Sequence, residues 1–349
     1  MKKAILNIIG IAALVAIIII AIMGNSSDTA EKKNGFTRHY SQVTLLNECK
    51  LNKSLTSIVG LTEGSLYLKA VDPRQIIVMD KDLKIRDTIN PNFPLTRVIA
   101  DSYNLQVDSP FIYLFANNVA TVLKYQDGLP SVNTIKLNTN IFSKSVLLSS
   151  HKIAIRVFDS SEIKQTFAIV NLGTGQIEAR NPIFEGQNDG GLSTDGFLKY
   201  DSSTKSIVYL QLYRNRFFRL DTSLQLVYEG RTIDTTSSNV ISVQKFSIND
   251  TMGSIMPSNP LKAINTTCFV NAGLLYIIST LKADNEDVDT FLENVPVDVY
   301  RVLDGRYLGS FYLPKYKDNK ATQIVARNSV IFALYSGAIR TFEIGHAFQ

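Results

Sequence analysis

The sequence predicts an all-β fold, a six-bladed β-propeller preceded by one N-terminal transmembrane helix. Three observations predict it: an uncharged apolar run near the start, a strand-turn-strand unit that recurs along the chain, and a last unit that lacks a strand while the first predicted strand is spare. The 349 residues are 45% hydrophobic and 19% charged, a globular composition. A chain of this length accommodates one large all-β domain.

Residues 4–24 form an apolar run with no charge and one amide, Asn7. At about 1.5 Å per residue, a helix of this length crosses roughly 30 Å of hydrocarbon. The run is longer than a signal-peptide core and no clear cleavage site follows it, so an uncleaved signal anchor is favoured over a cleaved signal peptide. Lysines at positions 2 and 3 favour a cytoplasmic start, which places the rest of the chain in the periplasm or at the cell surface. Residues 25–38 are predicted to form a polar, flexible tether.

Residues 39–349 contain short runs of Ile, Val, Leu, Tyr and Phe separated by Gly, Asn, Asp and Pro, which is typical of strands and turns. The segment "SLYLKAVDPRQIIVMDKDLKI", residues 65–85, is two such strands around a Val-Asp-Pro-Arg turn. Four strands every ~40–50 residues is the pattern of a propeller blade, so six units predict six blades. Comparable units begin at Ser109, His151, Lys205, Gly273 and Ser329.

The two ends of the repeat predict how the ring closes. The last unit supplies three strands before the chain ends, whereas the strand predicted for residues 41–51 precedes the first unit and has no unit of its own. Pairing that spare strand as the outer strand of the last blade would remove an open sheet edge. We therefore predict a propeller closed by residues 41–51.

The blade "SLYLKAVDPRQIIVMD" and the late segment "DVYRVLDGRYLGSFYLPKY", residues 298–316, resemble the membrane-tethered six-bladed β-propeller proteins of Bacteroidota-type bacteria. The resemblance extends loosely over residues 36–345. It implies a propeller located in the cell envelope, and it carries no catalytic residue across.

Loop lengths single out one face of the predicted propeller. In a four-stranded blade, the loop between the second and third strands and the connection to the next blade lie on the same face, here named the long-loop face. Three long insertions map to it, residues 181–196, 236–260 and 281–296. Long ordered loops on a rigid scaffold commonly carry binding sites, although drift at a tolerant surface gives similar lengths. Because the tether enters near Ser41, beside the other face, we expect the long-loop face to point away from the membrane.

Six residues are candidates for binding at the long-loop face, and each also has an ordinary structural explanation. Asp-Pro-Arg in the first unit suits a turn without any function, and the other four fit solvated loop positions. The acidic run "DNEDVD", residues 284–289, lacks the spacing of an EF-hand loop, so a solvated acidic loop is favoured over a calcium site. The candidates are Asp72, Arg74, Asn117, Asn118, Arg156 and Arg214.

Composition argues against several classes of function. The net charge of +5 is scattered, with no basic stripe interleaved with aromatics, so no nucleic-acid partner is predicted. Cys49 and Cys268 either form one disulfide or remain two buried thiols. The histidines His39, His151 and His346 are isolated, so no metal site and no cofactor are predicted. No nucleophile elbow or phosphate loop is present, and no catalytic residue is assigned.

The predicted function is that of a membrane-anchored, extracytoplasmic binding module for an envelope protein, a peptide or a glycan. The alternative is a propeller hydrolase or lyase with its site at the central channel, because propeller sites are assembled from several blades and need no linear motif. A third reading is a structural or sensory component without a diffusible ligand.

Overall fold

The computed structural model describes residues 11, 14–17, 33–100, 102–159, 163–184, 189–237, 241–249, 252–345 and 348. It contains six four-stranded antiparallel sheets and one additional two-stranded sheet, which confirms the six-bladed β-propeller. In chain order the strands are β1 (Val43–Lys50), β2 (Leu55–Leu61), β3 (Leu66–Ala70), β4 (Ile76–Met79), β5 (Ile85–Ile89), β6 (Tyr103–Asp108), β7 (Phe111–Ala116), β8 (Thr121–Gln126), β9 (Val132–Lys136), β10 (Phe142–Ser149), β11 (Lys152–Asp159), β12 (Lys164–Asn171), β13 (Ile177–Asn181), β14 (Gly196–Asp201), β15 (Ser206–Gln211), β16 (Arg216–Leu220), β17 (Leu226–Arg231), β18 (Val243–Asn249), β19 (Met252–Pro257), β20 (Asn265–Asn271), β21 (Leu274–Ser279), β22 (Asn294–Arg301), β23 (Tyr307–Pro314), β24 (Gln323–Arg327), β25 (Val330–Tyr335) and β26 (Ala338–Ile344).

Most of the predicted membrane segment, residues 4–24, lies outside the described residues, as do residues 25–32 of the predicted tether. Residues 11 and 14–17 are helical. Within the part of the chain that the structure describes, no helix is both long enough and apolar enough to cross a membrane.

Each blade is a meander whose first strand lies innermost. Blades one to four are β2–β5, β6–β9, β10–β13 and β14–β17; blade five is β20–β23. The inner strands β2, β6, β10, β14, β20 and β24 contact one another in a closed circle.

The sixth blade is completed by the start of the chain. Its strand order is β24, β25, β26 and then β1, which pairs antiparallel with β26 from Val43 opposite Ile344 to Lys50 opposite Ala338. This is the pairing that the spare first strand predicted. The Gln323 side chain joins blade six to blade one, because its amide accepts from Ile58 N at 2.8 Å and donates to Ile58 O at 2.7 Å.

The hydrophobic core lies between blades rather than at the axis. Among the described residues, six apolar clusters each join two neighbouring blades, including one between blades six and one that contains Phe332 and Leu68. Strands buried on both faces explain why the sequence shows continuous apolar runs instead of strict alternation. Closing the ring therefore buries the same kind of surface at all six junctions.

The three long insertions lie on the long-loop face, as predicted. The first connects β13 to β14, and the third contains a short helix, Val288–Glu293, between β21 and β22. The second connects blades four and five and contains the hairpin β18–β19, which is a sheet of its own.

The tether prediction is wrong for residues 34–38, which are packed on blade five. Phe36 and Arg38 are 7% and 2% exposed, respectively. Phe36 joins a small apolar cluster with Ile264, Leu281 and Ala283. A polar composition suggested a flexible coil, but these two side chains find partners in blade five, in β22 and in the segments before β20 and β22.

Candidate binding site

A polar pocket of about 370 Å³ opens on the long-loop face at blade three. Its floor comes from the starts of β10 and β12 and the end of β11, and its wall comes from residues 189–195, which precede β14. The lining residues are Ser143, Lys144, Arg156, Phe158, Gln165, Asp189, Gly190, Gly191, Leu192 and Asp195.

Arg156 holds the wall of this pocket in place. Its guanidinium is 1% exposed and donates to Gly191 O and Thr194 Oγ1, each at 2.8 Å. It also pairs with the Asp195 carboxylate at 3.3 Å. The Arg156 Nε is buried without a hydrogen-bond partner, an uncommon state that bound water or a ligand often explains.

The polar groups that a ligand could reach belong to the side chains around this buried arginine. Lys144 Nζ is 3.2 Å from Asp195 Oδ1, and both side chains are partly exposed. Ser143 Oγ donates to Gln165 Oε1 at 2.6 Å, and Gln165 Nε2 donates to Gly190 O at 3.1 Å. A cation, a carboxylate, an amide and a hydroxyl beside the ring of Phe158 suit a polar ligand that makes several hydrogen bonds.

Tyr209 supports the pocket from blade four. Its hydroxyl donates to Thr194 O at 2.7 Å, and the Arg156 guanidinium lies 5.8 Å from its ring centre. Burial raises the pKa of Tyr209 well above its usual value, opposed in part by the charge of Arg156. The phenol is therefore a fixed hydrogen-bond donor that orders the wall.

Asp72 and Arg74 form an exposed pair within their own turn in blade one. Arg74 Nη2 donates to Asp72 Oδ2 at 2.7 Å, and the Arg74 backbone N–H donates to Asp72 Oδ1 at 2.9 Å. Hydrogen bonds from Arg74 lower the pKa of Asp72. The structure thus shows a self-contained turn at this position, and a binding role for the pair stays a prediction.

Asn117 and Asn118 stand at the turn between β7 and β8. Asn118 Nδ2 donates to Arg97 O at 2.8 Å and its Oδ1 accepts from Ile99 N at 3.3 Å, so it fastens the preceding interblade connection. Asn117 Oδ1 is buried without a hydrogen-bond partner. A structural role accounts for Asn118, whereas the orphaned oxygen of Asn117 has no structural explanation.

Arg214 lies in the turn between β15 and β16 and is half-buried. Its carbonyl accepts from Asn265 Nδ2 at 3.3 Å, which links blades four and five. Of the six predicted residues, Arg156 alone lines the polar pocket. Lys144, Gln165 and Asp195 were not predicted, although Asp195 lies within an insertion that was marked as a binding loop.

The prediction of a solvated acidic loop at residues 284–289 is wrong for Asp284 and Glu286, which bind the N-terminal segment, whereas Asp287 and Asp289 are exposed as predicted. The two carboxylate oxygens of Asp284 accept from Asn34 N at 2.6 Å and Gly35 N at 2.9 Å. Glu286 pairs with Arg38 at 3.0 Å. Asp287 accepts from Thr290 N and caps the short helix. Among the described residues, no group of three or more His, Cys, Asp or Glu side chains could hold a metal ion.

Both cysteines are free thiols in the structure. Cys49 lies on the outer strand β1, whereas Cys268 is 2% exposed inside the cluster between blades four and five. Burial raises the pKa of the Cys268 thiol to about 12. Of the two alternatives left open by the sequence, the structure shows unpaired thiols, but only Cys268 is buried and Cys49 is partly exposed.

Comparison with known proteins shows the fold and no family. No protein-family model and no curated protein matches the sequence. A member of the DUF4221 family from Bacteroides vulgatus superposes with a TM-score of 0.54 at 12% identity, covering 90% of this chain and 99% of that one. A catalytically inactive virginiamycin B lyase from Staphylococcus aureus with quinupristin gives 0.50 at 14%, covering 86% and 99%. BamB from Moraxella catarrhalis gives 0.45 at 10%, covering 88% and 99%.

Proposed function

We propose that this protein is a membrane-anchored, extracytoplasmic propeller that binds a protein, peptide or glycan through the polar pocket of blade three. The observation that carries the proposal is the arrangement of Lys144, Gln165 and Asp195 around a buried Arg156 on the long-loop face. Asp195 is engaged in two ion pairs, with Lys144 and Arg156. A carboxylate fixed in this way suits hydrogen bonding to a ligand better than proton transfer.

The membrane-anchored part of the proposal rests on the apolar run at residues 4–24 and the lysines before it. The fold of this chain is similar to that of a Bacteroides propeller, which is consistent with the resemblance of its sequence to envelope propeller proteins. The anchor is tested by extraction from cell membranes. Detergent should release the chain, whereas high salt and alkali should leave it in the membrane. Protease added to intact cells and to permeabilised cells then reports on which side the propeller lies.

Ligand binding is tested with the full-length chain in detergent on arrays of envelope glycans and synthetic peptides. Each ligand that binds is then titrated with the wild type, with the pocket variants Lys144→Ala and Gln165→Ala, and with the matched control variant Lys152→Ala. Lys152 pairs with Glu178 in the same blade but begins β11 on the opposite face.

The pocket variants are expected to weaken binding at least about tenfold, because a hydrogen bond to a charged group contributes roughly 1.5–3 kcal/mol. The control should bind as the wild type does. An equal loss in all three variants contradicts the assignment of the pocket. Consumption of a glycan or peptide would instead favour the hydrolase or lyase alternative.

A further inference from the structure

The N-terminal segment reaches the propeller at its long-loop face, where Asn34 is bound. Asn34 N donates to Asp284, Asn34 Nδ2 donates to Lys282 O at 2.8 Å, and Asn34 O accepts from Thr235 Oγ1 at 2.6 Å. Thr235 belongs to the connection between blades four and five, and residues 282–284 belong to the loop between β21 and β22. Both connections lie on the long-loop face, so residue 33 leads away from that face.

Residues 34–38, here named the latch, hold this exit point firmly. Arg38 is fully buried and donates to Asp298 Oδ1 at 2.7 Å, to Glu286 Oε1 at 3.0 Å and to Leu281 O at 2.9 Å. Its guanidinium lies 5.0 Å from the ring centre of Phe36. The expected orientation, with the long-loop face pointing away from the membrane, assumed that the chain enters beside the opposite face, and the position of the latch contradicts that entry point.

The length of chain before the latch limits how far the face lies from the membrane. Nine residues, 25–33, separate the end of the apolar run from Asn34. Even fully extended, they span at most roughly 30 Å, at about 3.3–3.6 Å per residue. If residues 4–24 cross the bilayer, the long-loop face is held within that distance of its surface.

Exposed apolar side chains are concentrated on the loops of the same face. In the described loops and the β18–β19 hairpin, seven large apolar residues of the long-loop face are 37–65% exposed. The short turns of the opposite face carry two, Leu129 and Leu303, and the outer strands β1, β5 and β17 expose five more, Leu45, Leu46, Ile85, Leu226 and Val227. Those of the long-loop face are Val71, Ile99, Ile141, Ile163, Met256, Val288 and Leu292.

The distribution of these residues matters more than their exposure. A single exposed apolar residue is ordinary on a soluble surface. Here the residues come from blades one, two, three and five and from the hairpin β18–β19, so they are spread over loops of several blades. Apolar tips spread over a broad face can enter the headgroup and acyl boundary of a bilayer together, whereas a compact protein partner would cover only some of them.

We propose that the long-loop face docks on the lipid bilayer, with these apolar tips in the interface. This inference rests on the proposed membrane anchor. The docked propeller opens its blade-three pocket toward the headgroups, so the ligand of that pocket is presented at the membrane surface.

Depth-sensitive fluorescence on the full-length chain tests the docking. The chain carries Cys49→Ser and one new cysteine, Val288→Cys or Ile141→Cys on the long-loop face or Leu303→Cys on the opposite face. Cys268 escapes labelling because it is buried and burial raises its pKa to about 12. Each protein is labelled with nitrobenzoxadiazole and reconstituted in vesicles of phosphatidylethanolamine and phosphatidylglycerol that contain a spin-labelled lipid.

Quenching by the spin-labelled lipid should be at least twofold stronger at positions 288 and 141 than at position 303. Adding Val71→Ser, Ile99→Ser and Leu292→Ser should lower quenching at position 288 to the level of position 303. The matched substitutions Leu129→Ser and Leu303→Ser, on the opposite face, should leave it unchanged.

Flotation of the vesicles after an alkaline wash reports the anchor separately. A chain that floats but shows equal quenching on both faces, or none at position 288, overturns docking and leaves the anchor intact. Since these vesicles contain no other protein, that result would point to a membrane-protein partner as the occupant. A chain lost in the alkaline wash refutes the anchor, and quenching at position 288 before the wash then decides docking alone.

Discussion

Replacing Arg38 by Met should lower the free energy of unfolding more than breaking an exposed ion pair does. The arginine side chain is 0% exposed, and it pairs with Asp298, through Nε at 2.7 Å and Nη2 at 3.1 Å, and with Glu286. Burial disfavours its charge, but the two carboxylates outweigh that effect and raise the pKa of Arg38 above its usual value. Methionine keeps much of the volume and leaves two buried carboxylates without their cation.

The magnitude follows from that uncompensated charge. Removing one partner of a buried ion pair costs about 3–5 kcal/mol. With a shift of roughly 2 °C per kcal/mol for a large domain, the melting temperature should fall by about 6–10 °C. The measurement is thermal unfolding of the full-length chain in detergent, followed by circular dichroism or by tyrosine fluorescence, which is available because the sequence has 15 Tyr and no Trp.

Two controls separate the charge effect from general damage. Arg74→Ala breaks a pair whose side chains are 52% and 47% exposed, and it should leave the melting temperature nearly unchanged, because exposed ion pairs add little to stability. Adding Glu286→Gln and Asp298→Asn to Arg38→Met should restore part of the stability, because neutral amides lack the unpaired charge. A loss in Arg38→Met no larger than in Arg74→Ala would refute the latch as a stabilising element.

Three further outcomes are expected. Deleting residues 41–51 should leave the propeller aggregated or unfolded, since β26 loses its partner; a stable monomer by light scattering would rule out this closure. Cys49 should react with a thiol reagent in the native protein, whereas buried Cys268 should react only after denaturation, as counted by mass spectrometry. Hydrogen bonding from Arg301 lowers the pKa of Asp304 from 3.8 to about 2, so any stability it contributes is present above pH ~4 and lost as the pH falls toward 2. Asp304→Asn should therefore weaken the pH dependence of the free energy of unfolding in this acidic range, as measured by urea titrations. An unchanged pH dependence would contradict the pairing.

The fold was predictable because its determinants are local and repeated. Strand runs such as that around Leu68 are bounded by turn residues, and a blade needs only its own four strands to be recognised. The closing strand was also predictable, because an incomplete last unit and a spare first strand require each other. The hairpin β18–β19 was not, since it lies outside the blade repeat and the repeat period leaves no place for it.

The candidate site was only partly predictable, because its contacts join distant parts of the chain. Arg156 was proposed from its expected place near the rim of the long-loop face. Its partner Asp195 lies 39 positions later, beyond the outer strand of the same blade and at the end of the connection that follows it. Ion pairing between them depends on the path of that connection, which has no local signature in the sequence.

Residues 34–38 were misread for a related reason, and their position has a mechanical consequence. Their partners lie about 250 positions away, at Asp284, Glu286 and Asp298. Ordering each backbone residue costs roughly 1–2 kcal/mol, and the buried Arg38 and Phe36 offset that cost once blade five exists. Because the latch stands between residue 33 and β1, a load applied through the N-terminal segment reaches blade five before it reaches the strand that closes the ring. An intact latch therefore protects the β1–β26 pairing from a load applied through the N-terminal segment, and Arg38→Met transfers that load to the closing strand.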